Sequence, residues 1–219
     1  MTDTGKERVS GKSPLTICIA EDHGLLREGL CSLIARTPGF RVAGITSSGA
    51  GVDALLRAHR PDCLLLDLRL PRRGGWDILS DIHAGKRGTS DWTGTTIILT
   101  TYVHPLLLTL ARKHGARGLV CKEDDPLEII QALTATRDPD TFYASSRFLR
   151  SADAGLEAPS GREMEILQAC ARGLRGKEIP VALNISPKTV ETYRTRLAAK
   201  TGCRSAAELA RLALECGLI

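Results

Sequence analysis

Asp67 closes the apolar run Cys63-Leu64-Leu65-Leu66 and stands just before Leu68-Arg69-Leu70-Pro71-Arg72-Arg73-Gly74-Gly75. A continuous hydrophobic run followed by an acid and by Pro/Gly punctuation reads as a buried parallel strand with the acid at its C-terminal edge. Open α/β sheets carry their chemistry at that edge. Glu21 and Asp22 follow the first apolar run in the same way, so three carboxylates are expected to converge. Clustered acids repel unless a cation joins them, and hard oxygen ligands suit Mg²⁺. Thr100 closes a fourth run and offers a hydroxyl; Lys122 closes a fifth and offers an ammonium. Singly each signal is weak, because an acid at a strand end often caps the next helix and a lysine there is usually solvated. Five such residues at the ends of four strands point to a reactive carboxylate with its metal and counter-cation.

The elements that must position these residues alternate strand and helix from residue 15. Leu15 to Ala20 is expected as a strand, followed by a helix over His23 to Arg36 that Pro38-Gly39 stops. Arg41 to Thr46, Cys63 to Asp67, Thr95 to Thr100 and Leu119 to Cys121 supply four further strands. Helices are expected near Gly49 to His59, Trp76 to His83, Pro105 to His114 and Pro126 to Thr136. Five βα units in roughly 120 residues imply a parallel, doubly wound α/β sheet covered on both faces. The stretch 137–158 is rich in Asp, Ser, Ala and Pro without a sustained apolar repeat, and reads as a linker that could be helical in part. From Ser160 the chain looks wholly helical, over about 161–171, 177–183, 187–200 and 205–215. Ser160 and Glu163 have the spacing of a capping box. The expected organisation is a flexible 1–13, an α/β domain over 14–136, a linker over 137–158 and an all-α four-helix domain over 159–219.

Bulk properties agree with two modest domains in 219 residues. A chain 42% hydrophobic and 25% charged is ordinary for a globular protein, and with 4% aromatics its cores must be aliphatic. No apolar run approaches the roughly 20 residues that cross a bilayer, and Met1 to Ser13 lacks a secretory apolar stretch, so a cytoplasmic location is expected. Seven cysteines without a CxxC pair read as reduced thiols packed as small hydrophobes. A net charge of +5 permits an acidic partner without requiring one.

The first part of the chain resembles the receiver domains of bacterial two-component response regulators. The matching stretches are Ile19-Ala20-Glu21-Asp22-His23, Leu65-Leu66-Asp67-Leu68-Arg69-Leu70-Pro71 with Gly75, Ile97-Ile98-Leu99-Thr100, and Gly115-Ala116-Arg117-Gly118-Leu119-Val120-Cys121-Lys122. The resemblance spans roughly 14–136 and implies a five-stranded flavodoxin-like domain in which Asp67 accepts a phosphoryl group from a sensor histidine kinase. It also implies that Asp22, Asp67 and the Arg69 backbone carbonyl ligate Mg²⁺, that Glu21 acts mostly through water, and that Lys122 and Thr100 contact phosphoryl oxygens. His23 is expected to start the first helix and not to donate phosphate. Two positions depart from the pattern. Leu119 stands where many receivers carry a Tyr or Phe that turns inward on phosphorylation. Glu123-Asp124 stands where a proline commonly follows the lysine, adding negative charge near the site.

In the second part, Lys177 to Arg194 reads as helix, tight turn, helix, with Ser186 as cap and Pro187 in the first turn. Val190, Tyr193 and Leu197 fall on one helical face and should pack inward. Lys188, Thr192, Thr195 and Ala199 lie opposite, flanked by Glu191 and Arg196, a mixture of basic and short polar residues suited to a major groove. Charge alone would favour an ordinary solvated face, since 156–219 carries ten Lys/Arg against seven Asp/Glu. The order of residues decides it. Arg162-Glu163, Ile166-Leu167, Gly173-Leu174, Lys177-Glu178-Ile179, Ser186 to Tyr193 and Lys200 resemble the DNA-binding domain of the LuxR/NarL/FixJ regulators. That resemblance, over about 158–219, implies base or groove contact by Glu191, Thr192 and Thr195, and phosphate contact by Lys177, Lys188, Thr189, Arg194 and Arg196. Pro180 stands where Ala is usual, and would either kink the scaffold helix or sit in its first turn. Glu191 replaces a common Lys, and either reads a cytosine amino group or repels non-specific phosphates.

The two resemblances together imply a non-enzymatic transcription factor of the NarL/FixJ type. Phosphorylation would promote homodimerisation and binding to promoter DNA, with no membrane partner. Two rival readings are a Mg²⁺-dependent phosphohydrolase with Asp67 as nucleophile and a DNA-binding regulator with a degenerate, phosphorylation-independent receiver. Against the first, Arg69 occupies the position where such enzymes usually carry a second Asp.

Overall fold

The computed structural model describes residues 13–85, 91–151, 159–174 and 176–219. The expected flexible segment 1–13 lies, but for its last residue, outside the described residues. Strands β1 (Leu15–Ala20), β2 (Phe40–Thr46), β3 (Cys63–Asp67), β4 (Thr95–Thr100), β5 (Gly118–Cys121) and β6 (Tyr143–Ala144) form one parallel sheet. Their order is β2-β1-β3-β4-β5-β6, so the winding reverses between β1 and β3. A crevice opens at the carboxyl ends of the strands at such a reversal.

Successive residues of each strand face opposite sides, which makes two cores from one run of apolar residues. Ile17, Ile19, Leu65, Ile97, Leu99 and Val120 pack beneath α1 (Gly24–Arg36) and α5 (Pro126–Ala135). Cys18, Ala20, Leu64, Leu66, Ile98 and Leu119 pack beneath α2 (Val52–His59), α3 (Gly75–His83) and α4 (Pro105–Lys113). The expected cysteine role is visible here. Burial pushes the Cys63 thiol up to about 12 and the Cys18 thiol up to about 11, so both stay protonated packing groups.

The sheet has a sixth strand where a linker was expected. Tyr143 N–H donates to the Arg117 carbonyl and Ser145 N–H to the Leu119 carbonyl, 3.0 Å each, which satisfies the free edge of β5. Helix α6 (Ser146–Ser151) follows and inserts Phe148, fully buried, into the α2–α3–α4 side of the core. The charge expected from Glu123-Asp124 is drawn off by the same segment. Arg147 pairs with Glu123 at 2.8 Å and with Asp124 at 3.1 Å, while the Ser145 hydroxyl donates to Asp124 and accepts from Cys121 N–H.

The remaining helices are α7 (Gly161–Ala171), α8 (Glu178–Leu183), α9 (Pro187–Thr201) and α10 (Ala206–Glu215). The capping box forms: Ser160 Oγ accepts from Glu163 N–H and Glu163 Oε2 accepts from Ser160 N–H. The same buried Glu163 carboxylate binds Lys200 Nζ at 2.9 Å, which ties α7 to α9. Pro180 sits in the first turn of α8, where an amide N–H has no helical acceptor, so no kink arises. Asn184 in the left-handed region ends α8, and Ser186 then caps α9 by accepting from Thr189 N–H at 3.0 Å.

Candidate functional site

Glu21, Asp22 and Asp67 each present a carboxylate oxygen to one point, with those oxygens within 4.8 Å of one another. The register explains the meeting. Ala20 pairs with Leu66 across β1 and β3, so the residues that follow each strand emerge side by side. Gly75 is demanded by the turn that follows Asp67: a Cβ there would come within 2.6 Å of the Asp67 carbonyl. Arg73 holds the same loop from outside, bridging Asp53 on α2 and Asp81 on α3 at 2.8 and 2.6 Å. Nothing in the local pattern around Arg73 signals that role, because its partners come from two other helices.

Lys122 Nζ lies 2.7 Å from Glu21 Oε2 and 2.8 Å from Asp67 Oδ2. Glu21 is fully buried and Asp67 is 4% exposed, whereas Asp22 is open to solvent. Burial raises the Glu21 carboxyl above its ordinary range, the Asp67 charge adds to that, and Lys122 offsets part of it. The Asp67 carboxylate also accepts from Arg69 N–H at 3.1 Å. Thr100 is buried at the rim, its hydroxyl accepting from Tyr102 N–H at 3.2 Å. His23 stands at the start of α1 without a side-chain capping bond, as expected of a helix entry. A cleft of about 840 Å³ opens over Glu21, Asp22, Asp67, Arg69 and Lys122. Its donor set is entirely oxygen, with more acid than Lys122 can balance, which fits a hard divalent cation.

On α9, Val190 and Leu197 are buried and Tyr193 is half-buried, leaving Lys188, Glu191, Thr192, Thr195 and Arg196 exposed on the other side. Thr192 and Thr195 donate their hydroxyl hydrogens to the Lys188 and Glu191 carbonyls at 3.0 Å, so outward they present methyl groups and lone pairs. Arg196 lies over the Tyr193 ring, 5.8 Å from its centroid. Lys177 is exposed before α8, and Thr189 is half-buried beside Ser186. Arg194 is drawn back from the exposed face, half-buried between Glu191 and the Cys170 thiol.

The response regulator receiver domain model matches residues 17–134, and the model of bacterial regulatory proteins of the luxR family matches 160–213. The chain belongs to the response regulators. Its output half is a LuxR-type DNA-binding domain, and the whole is a transcriptional response regulator. This response regulator is 28% identical over 197 residues to the transcriptional regulatory protein UhpA of Escherichia coli K12, covering 90% of this chain and 96% of that protein. It is 29% identical over 213 residues to the response regulator UvrY of Escherichia coli O6:H1, covering 93% and 95%. A LuxR-family two-component response regulator from Aurantimonas superposes with a TM-score of 0.59 at 28% identity, over 65% of this chain and 98% of that one. The RcsB protein, solved as two dimers on two parallel DNAs, shares the fold with a TM-score of 0.71 at 21% identity, over 93% and 99%. Among the described residues no helix of the regulator is long and apolar enough to cross a membrane.

Proposed function

We propose that Asp67 is the phosphoryl acceptor of this response regulator and that its acyl phosphate controls dimerisation and promoter binding in the cytoplasm. The observation that carries this is the convergence of Glu21, Asp22 and Asp67 around Lys122 at the winding reversal of the sheet. In the transfer, the P–N bond to a phosphorylated histidine of the sensor kinase breaks as a P–O bond to Asp67 forms. Asp22, Asp67 and the Arg69 carbonyl would hold Mg²⁺, with Glu21 acting through water; the ion supplies charge neutralisation for the in-line transfer. Lys122 moves from pairing two carboxylates to pairing carboxylate and phosphoryl oxygen, and the Thr100 hydroxyl donates to another phosphoryl oxygen. Such chemistry needs positioning and charge balance, which these buried side chains supply. The full complement of acids, lysine and hydroxyl favours this reading over that of a degenerate receiver.

In the output domain, Lys177, Lys188, Thr189, Arg194 and Arg196 contact phosphates, while Glu191, Thr192 and Thr195 face base edges in the groove. A pair of copies then reads two half-sites. Incubation with a small phosphodonor and Mg²⁺ is expected to give an acid-stable, hydroxylamine-labile label on the wild type and none on Asp67→Asn. A label of unchanged stoichiometry on Asp67→Asn would remove the assignment.

A further inference from the structure

The two acids that follow β1 are held in different ways. Glu21 is pinned through its side chain: Oε1 accepts from His23 N–H at 3.1 Å and Oε2 pairs with Lys122 at 2.7 Å. Its own N–H donates to the Thr46 carbonyl on β2 at 3.0 Å. Asp22 is exposed, and a neighbour holds it by the backbone. Arg27, one turn into α1, folds its half-buried side chain back over the helix start. There Nη1 donates to the Glu21 carbonyl at 2.9 Å and to the Asp22 carbonyl at 3.3 Å. The helix itself does not ask for a cation at this end. A helix N-terminus is the positive end of the dipole, where acids are favoured and bases are not. No acid stands in the first turn of α1 to offset the arginine. The guanidinium therefore serves the turn before the helix.

We propose that Arg27 is a positioning residue of the acidic site: it sets the Glu21–Asp22 turn so that the Asp22 carboxylate meets those of Glu21 and Asp67 before a cation arrives. The inference rests on Asp22 and Asp67 as Mg²⁺ ligands and on Asp67 as phosphoryl acceptor. The two carbonyls that Arg27 holds belong to the peptide planes on either side of the Asp22 Cα. One nitrogen bonded to both therefore fixes the two soft dihedrals of that residue. The direction of its Cα–Cβ bond is set, although the carboxylate itself stands in water. Without Arg27 the turn must be ordered as Mg²⁺ binds, and fixing the backbone of one residue costs enough to weaken binding roughly tenfold. Charge alone predicts the opposite sign. A guanidinium near Glu21, Asp22 and Asp67 repels an incoming divalent cation, so an Arg27 that acted only as a charge would hold Mg²⁺ affinity down.

Mg²⁺ titrations of the full chain test this, with affinity read from the rise of the melting temperature with Mg²⁺ and the Asp67 label quantified separately by intact mass. Arg27→Met is expected to raise the dissociation constant for Mg²⁺ roughly tenfold while still taking the wild-type amount of label at saturating Mg²⁺. In an Asp22→Asn background the same substitution should weaken Mg²⁺ binding no further, because the carboxylate that Arg27 aims is gone. Arg27→Gln, which gives up the charge and shortens the stem, is expected to shift in the same direction and covers a folding defect in Arg27→Met. Unchanged or tighter Mg²⁺ binding in the Arg27 variants, or an equal loss with and without the Asp22 carboxylate, overturns the proposal. Equal Mg²⁺ affinity in wild type and Asp22→Asn instead refutes the metal assignment on which the proposal stands. Wild type that binds Mg²⁺ through Asp22 yet takes no label refutes the acceptor reading.

Discussion

Removing the ammonium from the acidic site should cost the receiver most of its margin in metal-free buffer. Lys122→Met leaves the fully buried Glu21 and nearly buried Asp67 facing each other with oxygens within 4.8 Å and no cation between them. At an effective dielectric near 20, two charges at that separation repel by about 3 kcal/mol, and breaking a buried ion pair from one side typically costs about 3–5 kcal/mol. A loss of about 3 kcal/mol corresponds to roughly 6–12 °C in the melting temperature of a chain this size. The sign with pH follows from Glu21, whose carboxyl burial already raises. Protons bind more tightly in the folded state, so the penalty grows as pH rises through the folded-state value and shrinks on acidification. Thermal unfolding of wild type, Lys122→Met and Lys122→Met/Asp67→Asn in EDTA and in excess Mg²⁺ measures this. The double variant should recover most of the loss, and Mg²⁺ should recover most of it in the single variant. Equal melting of wild type and Lys122→Met in EDTA at neutral pH would refute the electrostatic account of the site.

Two other perturbations act on the output domain. Burial works against the Glu163 charge, yet bonds from Ser160 and Lys200 bring the carboxyl below its ordinary range, so its stabilisation holds above that range and is lost as pH falls through the folded-state value. Lys200→Met should cost about 2–3 kcal/mol at neutral pH and flatten that acid dependence, read by urea unfolding at several pH values. Lys188→Ala should weaken binding to all DNA sequences alike and reduce the slope of log affinity against log salt by about 1, measured by fluorescence anisotropy.

Much of the site was legible because its parts lie at the ends of strongly apolar runs. The stretch Cys63 to Asp67 is a buried strand from end to end, and the acids that close it and follow β1 needed only the parallel order to meet. The capping box and the Ser186-Pro187 start of α9 were legible for the same reason, since each is set by residues a few positions apart. What stayed hidden depends on distant partners. Tyr143-Ala144 is too short to show alternation, and becomes a strand only against the open edge of β5. Phe148 and Leu149 are the two apolar residues of a six-residue helix, too few for a period. The bond from Trp76 to Cys216 joins residues 140 apart, and neither local sequence announces the other. Arg194 took its expected phosphate contact from the family resemblance, which could not show its pull toward Cys170.

The docking of β6 and α6 also sets the length of the tether. With α6 ending at Ser151 and α7 beginning at Gly161, only nine residues join the two halves, and even fully extended they reach no more than about 35 Å. An output domain that let go of the receiver, where the Trp76 indole holds the Cys216 carbonyl, would therefore stay at an effective concentration on the order of millimolar. At that concentration an interface of a few hydrogen bonds, too weak to hold two separate molecules together, closes readily within one chain. The two halves can thus part and rejoin without either having to find the other again.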